Sequence, residues 1–167
     1  VALGPGLSQQ PETRELILWL IQNIDRNIVI DADGLNALSD KVKVLHKIKR
    51  RAVLTPHPGE MSRLIDFGSV KDVQKERLNT ASQFVQSIQK KLNNERRLIL
   101  VLKGDKTIVV DSGKVYVNRT GNPAMATAGA GDVLTGIIAS LIGQGYDVFD
   151  ASQLGVYIHG LAGDIAA

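Results

Sequence analysis

The sequence predicts an α/β fold in which a mainly parallel sheet is covered by helices on both faces. Short, apolar, β-rich runs alternate along the chain with longer segments whose apolar residues recur every three to four positions. The short runs are continuously apolar, as in "LILVL" at 98–102, which is typical of strands buried on both faces. The motifs "GPGL", "DADGLN", "TPHPGE" and "KGDKT" each follow such a run directly. We therefore expect them to gather at one edge of the sheet, where ligands of such folds bind.

The first half of the chain predicts three strands and two helices. Residues 1–3 are typical of the end of a strand, which "GPG" then turns. A strand at 27–33, "NIVIDAD", ends in two acids, and "AVLTP" at 52–56 is the next strand. A helix is predicted over 11–26, with a first-turn proline and acid at Pro11 and Glu12. The helical spacing is carried by Leu16, Ile17, Leu20, Ile21 and Ile24, and in a short second helix by Val42, Leu45 and Ile48.

The second half predicts a long helix, a strand, a hairpin and two final helices. The long helix covers about 70–93, the strand 98–103, and the hairpin 107–117 with its turn at Ser112-Gly113. The apolar stripe of the long helix consists of Leu78, Ala81, Phe84, Val85, Ile88 and Leu92. The first of the two final helices starts near 130–132 and continues with Val133, Leu134, Ile137, Ile138, Leu141 and Ile142.

Composition excludes several classes of function. The 167 residues suit one domain, and 20 basic against 17 acidic side chains give a net charge of +3 that requires no polyanionic partner. Aromatic residues make up only 4% of the chain, which argues against a surface on which nucleic-acid bases stack. The sequence contains no cysteine, so it has no disulfide and no thiolate metal site. No apolar run approaches the roughly 20 residues of a membrane span, and we expect no secretory leader. We expect a cytoplasmic protein with no membrane or nucleic-acid partner, and a single domain over 1–167 that lacks N- and C-terminal parts.

The segment "MATAGAGDVLTG" places glycines and one aspartate at the start of an apolar helix. A helix N-terminus presents unpaired N–H groups and a partial positive charge, and glycines at Gly129 and Gly131 let a phosphate approach that backbone. Asp132 in the first turn could then accept a proton from a substrate hydroxyl. An aspartate in a first turn is also favourable without any chemistry, so a lone "GAGD" is equally typical of a simple helix start.

The longer motifs identify a family resemblance. "GNPAMATAGAGDVLTGIIASLIGQG" closely resembles the signature of the nicotinamide-nucleotide hydrate dehydratases, which belong to the ribokinase-like superfamily. "GPGL", "VIDADGLNAL", "LTPHPGEMSRL" and "VLKGDKTIV" follow in the family's order, so that the resemblance covers essentially the whole chain. It implies a three-layer α/β/α fold and the dehydration of NADHX and NADPHX, the hydrated forms of NADH and NADPH. It also implies ADP or ATP as phosphoryl donor, Mg²⁺, and release of phosphate with AMP or ADP.

The resemblance also implies residue roles. Asp132 matches the catalytic aspartate, which deprotonates the ring hydroxyl while the terminal phosphoryl of the nucleotide is transferred. Gly129, Ala130 and Gly131 would form the anion hole, and Gly131 would also lie close to the nucleotide. The nucleotide-binding stretch is matched by Lys103, Gly104, Asp105, Lys106 and Thr107, and Asn122 with 125–129 would shape the same edge. In isolation "KGDKT" is equally typical of a plain turn between strands.

Two further motifs would contact the hydrated dinucleotide and the metal. Gly6 and His57, together with Asp132, match substrate contacts of the family, and Glu60 resembles the acid that orders water around magnesium. "HPGE" also fits a helix start with a first-turn proline. Asp31, Asp33 and Asn36 of "DADGLN" could hold a metal, but we expect a supporting structural role for them.

Several alternatives stay open. A ribokinase-like kinase of a small vitamin precursor would share the anion hole and the aspartate, and a nucleotide-binding fragment without turnover would share the phosphate contacts. The sequence distinguishes neither ADP from ATP nor NADHX from NADPHX; we expect ADP. A homo-oligomer, such as a tetramer, and a fused or separate epimerase are further expectations from the family. We interpret the basic run at 41–51 as a solvated face and His46 and His159 as structural.

Overall fold

The computed structural model describes residues 1–65, 69–93 and 97–167 as a six-stranded sheet with helices on both faces. The strands lie side by side in chain order. They are β1 (Ala2–Leu3), β2 (Ile28–Ile30), β3 (Ala52–Leu54), β4 (Leu98–Leu102), β5 (Ile108–Val110) and β6 (Val115–Val117). β1 to β4 are parallel, and β5 and β6 continue the sheet as an antiparallel hairpin. The predicted mainly parallel α/β sheet is thereby confirmed.

Seven α-helices lie within the described residues. They are α1 (Pro11–Asn23), α2 (Ala32–Leu38), α3 (Pro58–Leu64), α4 (Val70–Lys75), α5 (Arg77–Gln89), α6 (Ala130–Gly143) and α7 (Val148–Ala166). Two 3-10 segments, Val42–Lys47 and Pro123–Met125, complete the secondary structure of this part. None of these helices combines the length and the apolar character that crossing a bilayer would require.

Two apolar clusters separate the helices into layers. The strand residues that point one way, such as Ile30, Leu54 and Leu100, pack with buried side chains of α1 to α5. Their neighbours Val53 and Ile99 point the other way and pack against α6 and α7. Since successive strand side chains alternate between faces, continuously apolar runs are what a sheet between two helical layers needs. The three layers are therefore helix, sheet and helix.

The crossover connections bring the polar motifs to one edge. Parallel strands all end at the same edge of a sheet, so the segments after β1, β2, β3 and β4 lie there together. The hairpin reverses direction twice, and β6 therefore runs back toward this edge, from which a loop leads into α6. The sequence motifs that follow the four strands thus lie at the same edge of the sheet as the N-terminus of α6.

The predicted long helix over 70–93 is wrong in one respect. The chain breaks at Glu76, whose φ of −122° and ψ of 40° are not helical, and forms α4 and α5 instead. Ala81, Phe84, Val85 and Ile88 are buried as expected, but Leu78 lies in the first turn after the break and is 46% exposed. Val133 at the start of α6 and Leu16 in the middle of α1 are likewise exposed, because the apolar pattern of each helix is wider than its buried face.

Candidate functional site

The site lies where β2, β3 and β4 end, beside the first turns of α6. Asp31 follows β2, Glu60 lies in the helix that begins after β3, and Lys103 follows β4. Asp31 and Glu60 are buried, with 1% and 6% of their surface exposed. A buried carboxylate requires a charged or hydrogen-bonding partner, and Lys103 stands between the two.

Asp31 connects three elements through its two carboxylate oxygens. Lys103 Nζ donates to Oδ1 at 2.8 Å, and the hydroxyl of Thr135 in α6 donates to Oδ2 at 2.8 Å. Thr135 is itself buried at 2% exposure. The second carboxylate near Lys103 is that of Glu60, 3.8 Å from Nζ, which is an ion pair beyond hydrogen-bond distance. The ends of β2 and β4 are thus tied to the body of α6 by one buried polar chain.

The N-terminus of α6 presents unpaired amides. Gly129 caps the helix with a φ of +86°, a left-handed conformation that glycine adopts at no steric cost. The Ala130 amide already donates to the carbonyl of Thr127 at 3.3 Å, whereas those of Gly131 and Asp132 have no acceptor in the described part of the chain. Their N–H groups and the helix dipole make this helix start a candidate anion site. The ammonium of Lys103 reinforces it, since a Cβ built on Gly131 would lie 3.1 Å from Nζ.

Asp132 occupies the first turn of the same helix and is exposed. Its carboxylate makes no hydrogen bond or ion pair with residues that the structure describes. A carboxylate that the fold does not use for capping or pairing is free to accept a proton from a bound molecule. The placement beside an anion site is the one predicted from the sequence.

His57 and Glu60 form a reciprocal cap at the start of α3. His57 Nδ1 accepts from the amides of Gly59 and Glu60 at 3.0 and 3.2 Å, and Glu60 Oε2 accepts from the His57 amide at 2.8 Å. The imidazole remains about half exposed, and its Nε2 lies 3.5 Å from Glu60 Oε1. "HPGE" is therefore a helix start, as one interpretation held, while the ring edge stays accessible to a ligand.

The "KGDKT" stretch is a tight turn between β4 and β5. Gly104 and Lys106 both have positive φ, and the Thr107 hydroxyl donates to the Gly104 carbonyl at 3.1 Å. Arg77, the first residue of α5, donates to the carbonyls of Leu102 and Lys103 at 3.1 and 3.3 Å. Burial lowers the pKa of Arg77, and nearby Asp105 opposes this shift. The sequence pattern gave no sign of this role for Arg77, because it predicts an unbroken helix there.

The loop before α6 is fastened to α7. Asn122 Nδ2 donates to the Gly163 carbonyl at 2.9 Å, and the Gly121 amide donates to Asp164 Oδ2 at 2.8 Å. Buried Asn118 donates to the carbonyls of Thr120 and Val156. These contacts fix the entry of the chain into the glycine turn at Gly129.

α7 also brings a histidine to the glycine turn. His159 forms a hydrogen bond with the backbone of Ala130, which raises its pKa, but burial is the larger effect and leaves the pKa lowered. The positive charge of Lys103 lowers it further. His159 therefore favours the neutral form beside the helix start.

The loop with Gly6 lies beside a separate polar cavity. Gly6 is exposed with a φ of +70°, and the amide of Ser8 donates to Asp33 Oδ2 at 2.9 Å. The cavity has a volume of about 340 Å³. Its walls include Ser8, Gln9, Arg14, Asp33, Asn36 and Asp40. Of the three polar residues in "DADGLN", Asp33 holds this loop and Asn36 lines the cavity. Asp31 is the one that contacts Lys103 and α6.

Comparisons with known proteins identify the family of the chain. The family model of the NAD(P)H-hydrate dehydratases matches residues 1–167. The chain belongs to that family. It is 47% identical over its whole length to a bifunctional NAD(P)H-hydrate repair enzyme of Moorella thermoacetica, of which it covers 30%. It is 40% identical over 87% of its length to the ADP-dependent (S)-NAD(P)H-hydrate dehydratase of Neisseria meningitidis, of which it covers 47%.

Solved structures support the same assignment. The ADP/ATP-dependent NAD(P)H-hydrate dehydratase of Bacillus subtilis, co-crystallised with ATP and Mg²⁺, superposes with a TM-score of 0.80 at 30% identity. That match covers 98% of this chain and 54% of the solved one. A ribokinase from Thermotoga maritima matches 89% of this chain and 46% of its own with a TM-score of 0.61 at 19% identity, which shows the ribokinase-like fold alone. The chain therefore spans between about a third and a little over half of the proteins it resembles.

The dehydratase-family motifs divide into two groups in space. The first group surrounds the N-terminus of α6 through Lys103, Gly129, Gly131 and Asp132, with Glu60 in contact with Lys103. Gly6 lies on the loop that borders the cavity near α1 and α2. Asp31 is the residue whose position sequence reasoning underestimated, because its contacts with Lys103 and Thr135 span 72 and 104 positions. The one sequence feature that indicated a place for Asp31 in the site is its position as an acid directly after a buried strand.

Proposed function

We propose that the chain carries the dehydratase site for the S-forms of NADHX and NADPHX, with ADP or ATP as phosphoryl donor. The observation that supports this most directly is the pair of unpartnered amides at the start of α6, with Lys103 beside them and Asp132 exposed in the same turn. Such a site suits the transfer of a phosphoryl group to a hydroxyl, because the helix start stabilises the developing charge. The identity of the substrate is inferred from the family to which the chain belongs.

Each residue then has a role in the reaction. Asp132 accepts the proton of the ring hydroxyl. The oxygen of that hydroxyl bonds to the terminal phosphorus of the nucleotide, and the bond from this phosphorus to AMP or ADP breaks. The amides of Gly131 and Asp132 and the ammonium of Lys103 stabilise the transferring phosphoryl. The phosphate then leaves as its C–O bond to the ring breaks, and the neighbouring ring carbon loses a proton, which restores the ring double bond of NADH or NADPH. His57 and Gly6 would contact the dinucleotide, and Gly104 to Thr107 the nucleotide.

The proposed magnesium requires few protein ligands. Within the described residues no three acidic or histidine side chains form a metal-binding group. Mg²⁺ at phosphoryl-transfer sites is commonly held by the substrate phosphates, water and one or two carboxylates, and the buried carboxylate of Glu60 suits such a role. Bound there, the ion would neutralise charge on the phosphates. The cytoplasmic location, the homo-oligomer and the epimerase partner stay predictions.

A spectroscopic assay tests the proposal. Full-length protein is mixed with NADHX, Mg²⁺ and either ADP or ATP, and the NADH absorbance band is followed. Asp132→Asn is expected to lower kcat by at least about 100-fold, since general base catalysis contributes 10²–10⁴. Asp150→Asn is the matched control, because Asp150 is an exposed acid in the first turn of α7, and it should leave the rate unchanged.

The other outcomes identify the alternatives. NADH formed with only one nucleotide identifies the donor. A stable phosphorylated product from a small alcohol, with no NADH from NADHX, would instead show a ribokinase-like kinase. Nucleotide binding without either product would show a module that binds but does not turn over.

A further inference from the structure

The buried carboxylate of Asp31 has no role in the reaction described above. It is 1% exposed, and each of its oxygens has its own partner at 2.8 Å. We propose that Asp31 is the positioning residue that holds the ammonium of Lys103 against the phosphate-binding start of α6. This inference rests on the proposed function in one respect, namely that a nucleotide phosphate occupies that helix start.

The geometry of α6 explains how Asp31 can do this. Gly131 and Thr135 are four positions apart, so they lie one above the other on the same face of the helix. Thr135 fixes Asp31 Oδ2 at one end of this face, and Lys103 bonded to Oδ1 reaches the other end. A Cβ on Gly131 would stand 3.6 Å from Asp31 Oδ2 and 3.1 Å from Lys103 Nζ. The polar chain thus runs along α6 toward the unpaired amides.

The occupancy of the two oxygens favours positioning over metal binding. An ionised carboxylate accepts through both oxygens, and here one takes the ammonium and the other the Thr135 hydroxyl. Lys103, in contrast, has three N–H donors and uses one of them on Asp31. Its other carboxylate neighbour, Glu60, is 3.8 Å away, so donors remain for a phosphate oxygen.

Whether anion binding becomes weaker or stronger when Asp31 loses its charge distinguishes a positioning role from simple charge balance. If Asp31 acted only as a counter-charge, removing its negative charge would strengthen the binding of an anion. If it positions Lys103, its removal leaves Glu60 in α3 as the remaining carboxylate partner, and the ammonium is drawn away from α6. The second case predicts weaker binding of phosphate-bearing ligands and no change for a ligand without phosphate.

Calorimetric titration with ADP and with adenosine tests this in the full-length protein. The proteins compared are wild type, Asp31→Asn, Lys103→Met and the double variant. Asp31→Asn should weaken ADP binding about tenfold, the lower end of the loss seen when a residue that orients a metal ligand is removed, and leave adenosine binding unchanged. In the double variant ADP should bind no more weakly than in Lys103→Met alone, because effects that act through one group are not additive.

Two controls separate positioning from a general loss of structure. Asp111→Asn removes another buried carboxylate, which lies beyond the far end of β5 and pairs with Arg97 at 3.4 Å; it should leave ADP affinity unchanged. If Asp31→Asn does not fold, Thr135→Val replaces it in the cycle, since it removes only one of the two contacts of Asp31. Its smaller loss of ADP affinity should vanish in the Lys103→Met background.

The inference is overturned by tighter ADP binding in Asp31→Asn, by an equal loss for ADP and adenosine, or by additive effects in the double variant. A wild-type protein that binds ADP with the expected coupling but forms no NADH from NADHX would contradict only the proposed function. A wild-type protein that binds neither ADP nor ATP would contradict both.

Discussion

At the scale of single residues, Gly131 shows that a helix can be built for function at the expense of stability. Alanine generally stabilises a helix interior by about 1 kcal/mol relative to glycine, with a smaller effect near an end. A Cβ at Gly131 would meet Lys103 Nζ at 3.1 Å, and the flexible lysine would have to move. The glycine thus gives the ammonium its place beside the anion site.

We expect Gly131→Ala to lower ADP affinity by about tenfold while the protein unfolds at the same temperature or slightly higher. Gly136→Ala is the matched control, because it lies in the same helix with nothing within 4 Å of its Cβ position. It should raise stability by about 0.5–1 kcal/mol without affecting ADP. Calorimetry and thermal unfolding measure the two effects, and a control that lost ADP affinity would show that the helix, rather than Lys103, is responsible.

His57 combines a structural and a proposed binding role, which substitution can separate. His57→Ala removes the acceptor for the Gly59 and Glu60 amides and should cost about 0.5–2 kcal/mol, as the loss of an N-cap does. His57→Asn retains a good cap but lacks the exposed ring, so its stability should stay near wild type while KM for NADHX rises several-fold. Chemical denaturation and steady-state kinetics measure the two quantities. Equal KM values for His57→Asn and wild type would remove His57 from the substrate contacts.

Individual residues also show what sequence can reveal. The sequence predicts one site that contains Asp132, the glycines before it and Lys103. Each of these residues belongs to a motif that either has a local chemical explanation or resembles a motif of the family. Asp31 and Arg77 could not be placed in the site from local pattern, because their partners lie far along the chain or depend on a helix break. The spacing of residues along the chain indicates what a helix start can bind. It does not indicate which side chain from a distant part of the chain lies beside that helix start.

At the scale of elements, the break between α4 and α5 creates the support of the turn at 103–107, for which we propose nucleotide binding. An unbroken helix would carry residue 77 in its middle; the break at Glu76 puts Arg77 at the start of α5, where it reaches the end of β4. Its guanidinium donates to two successive carbonyls, which a planar fork can do and a single ammonium cannot do as well. The helical period was predicted correctly from the sequence, but the break was not, since Glu76 carries no glycine or proline signal.

We expect Arg77→Gln to raise KM for the nucleotide several-fold and to change kcat little, because the turn loses its support while Asp132 is untouched. Stability should fall by about 1–3 kcal/mol, the usual cost of buried acceptors left without a donor. Arg26→Gln is the control, since Arg26 is exposed and its contact in the described chain is with the carbonyl of the preceding Asp25. A kcat loss with unchanged KM would contradict the supporting role.

At the scale of the whole molecule, the order of the strands in the sheet determines which residues meet in the site. Asp31, Glu60 and Lys103 come from segments after three adjacent parallel strands, so the pairing of β2, β3 and β4 sets their distances. The sequence predicted this common edge because continuous apolar runs indicate parallel strands. It could not predict the order of the strands, and hence which motifs become neighbours.

Acidification should destabilise the molecule in two separate pH ranges. The pKa of His159 is lowered mainly by burial, so below pH 6.5 the unfolded chain takes up a proton that the folded one does not bind, and stability falls until the folded pKa is reached. The pKa of Asp72 is lowered by hydrogen bonds from the Ser69 amide and hydroxyl, and that of Asp25 by Arg50. These groups lose their contribution as pH falls below 3.8.

Unfolding free energies measured by denaturant between pH 8 and 3 test this assignment. His159→Gln should flatten the profile just below pH 6.5, where the wild type loses stability, and leave the acidic range unchanged. Asp72→Asn should do the reverse, with a small effect because its carboxylate is exposed to solvent. Since His159 contacts the backbone of Ala130, its protonation would place a charge at the start of α6. Parallel profiles for wild type and His159→Gln would instead show that burial does not lower the pKa of His159 in the folded protein.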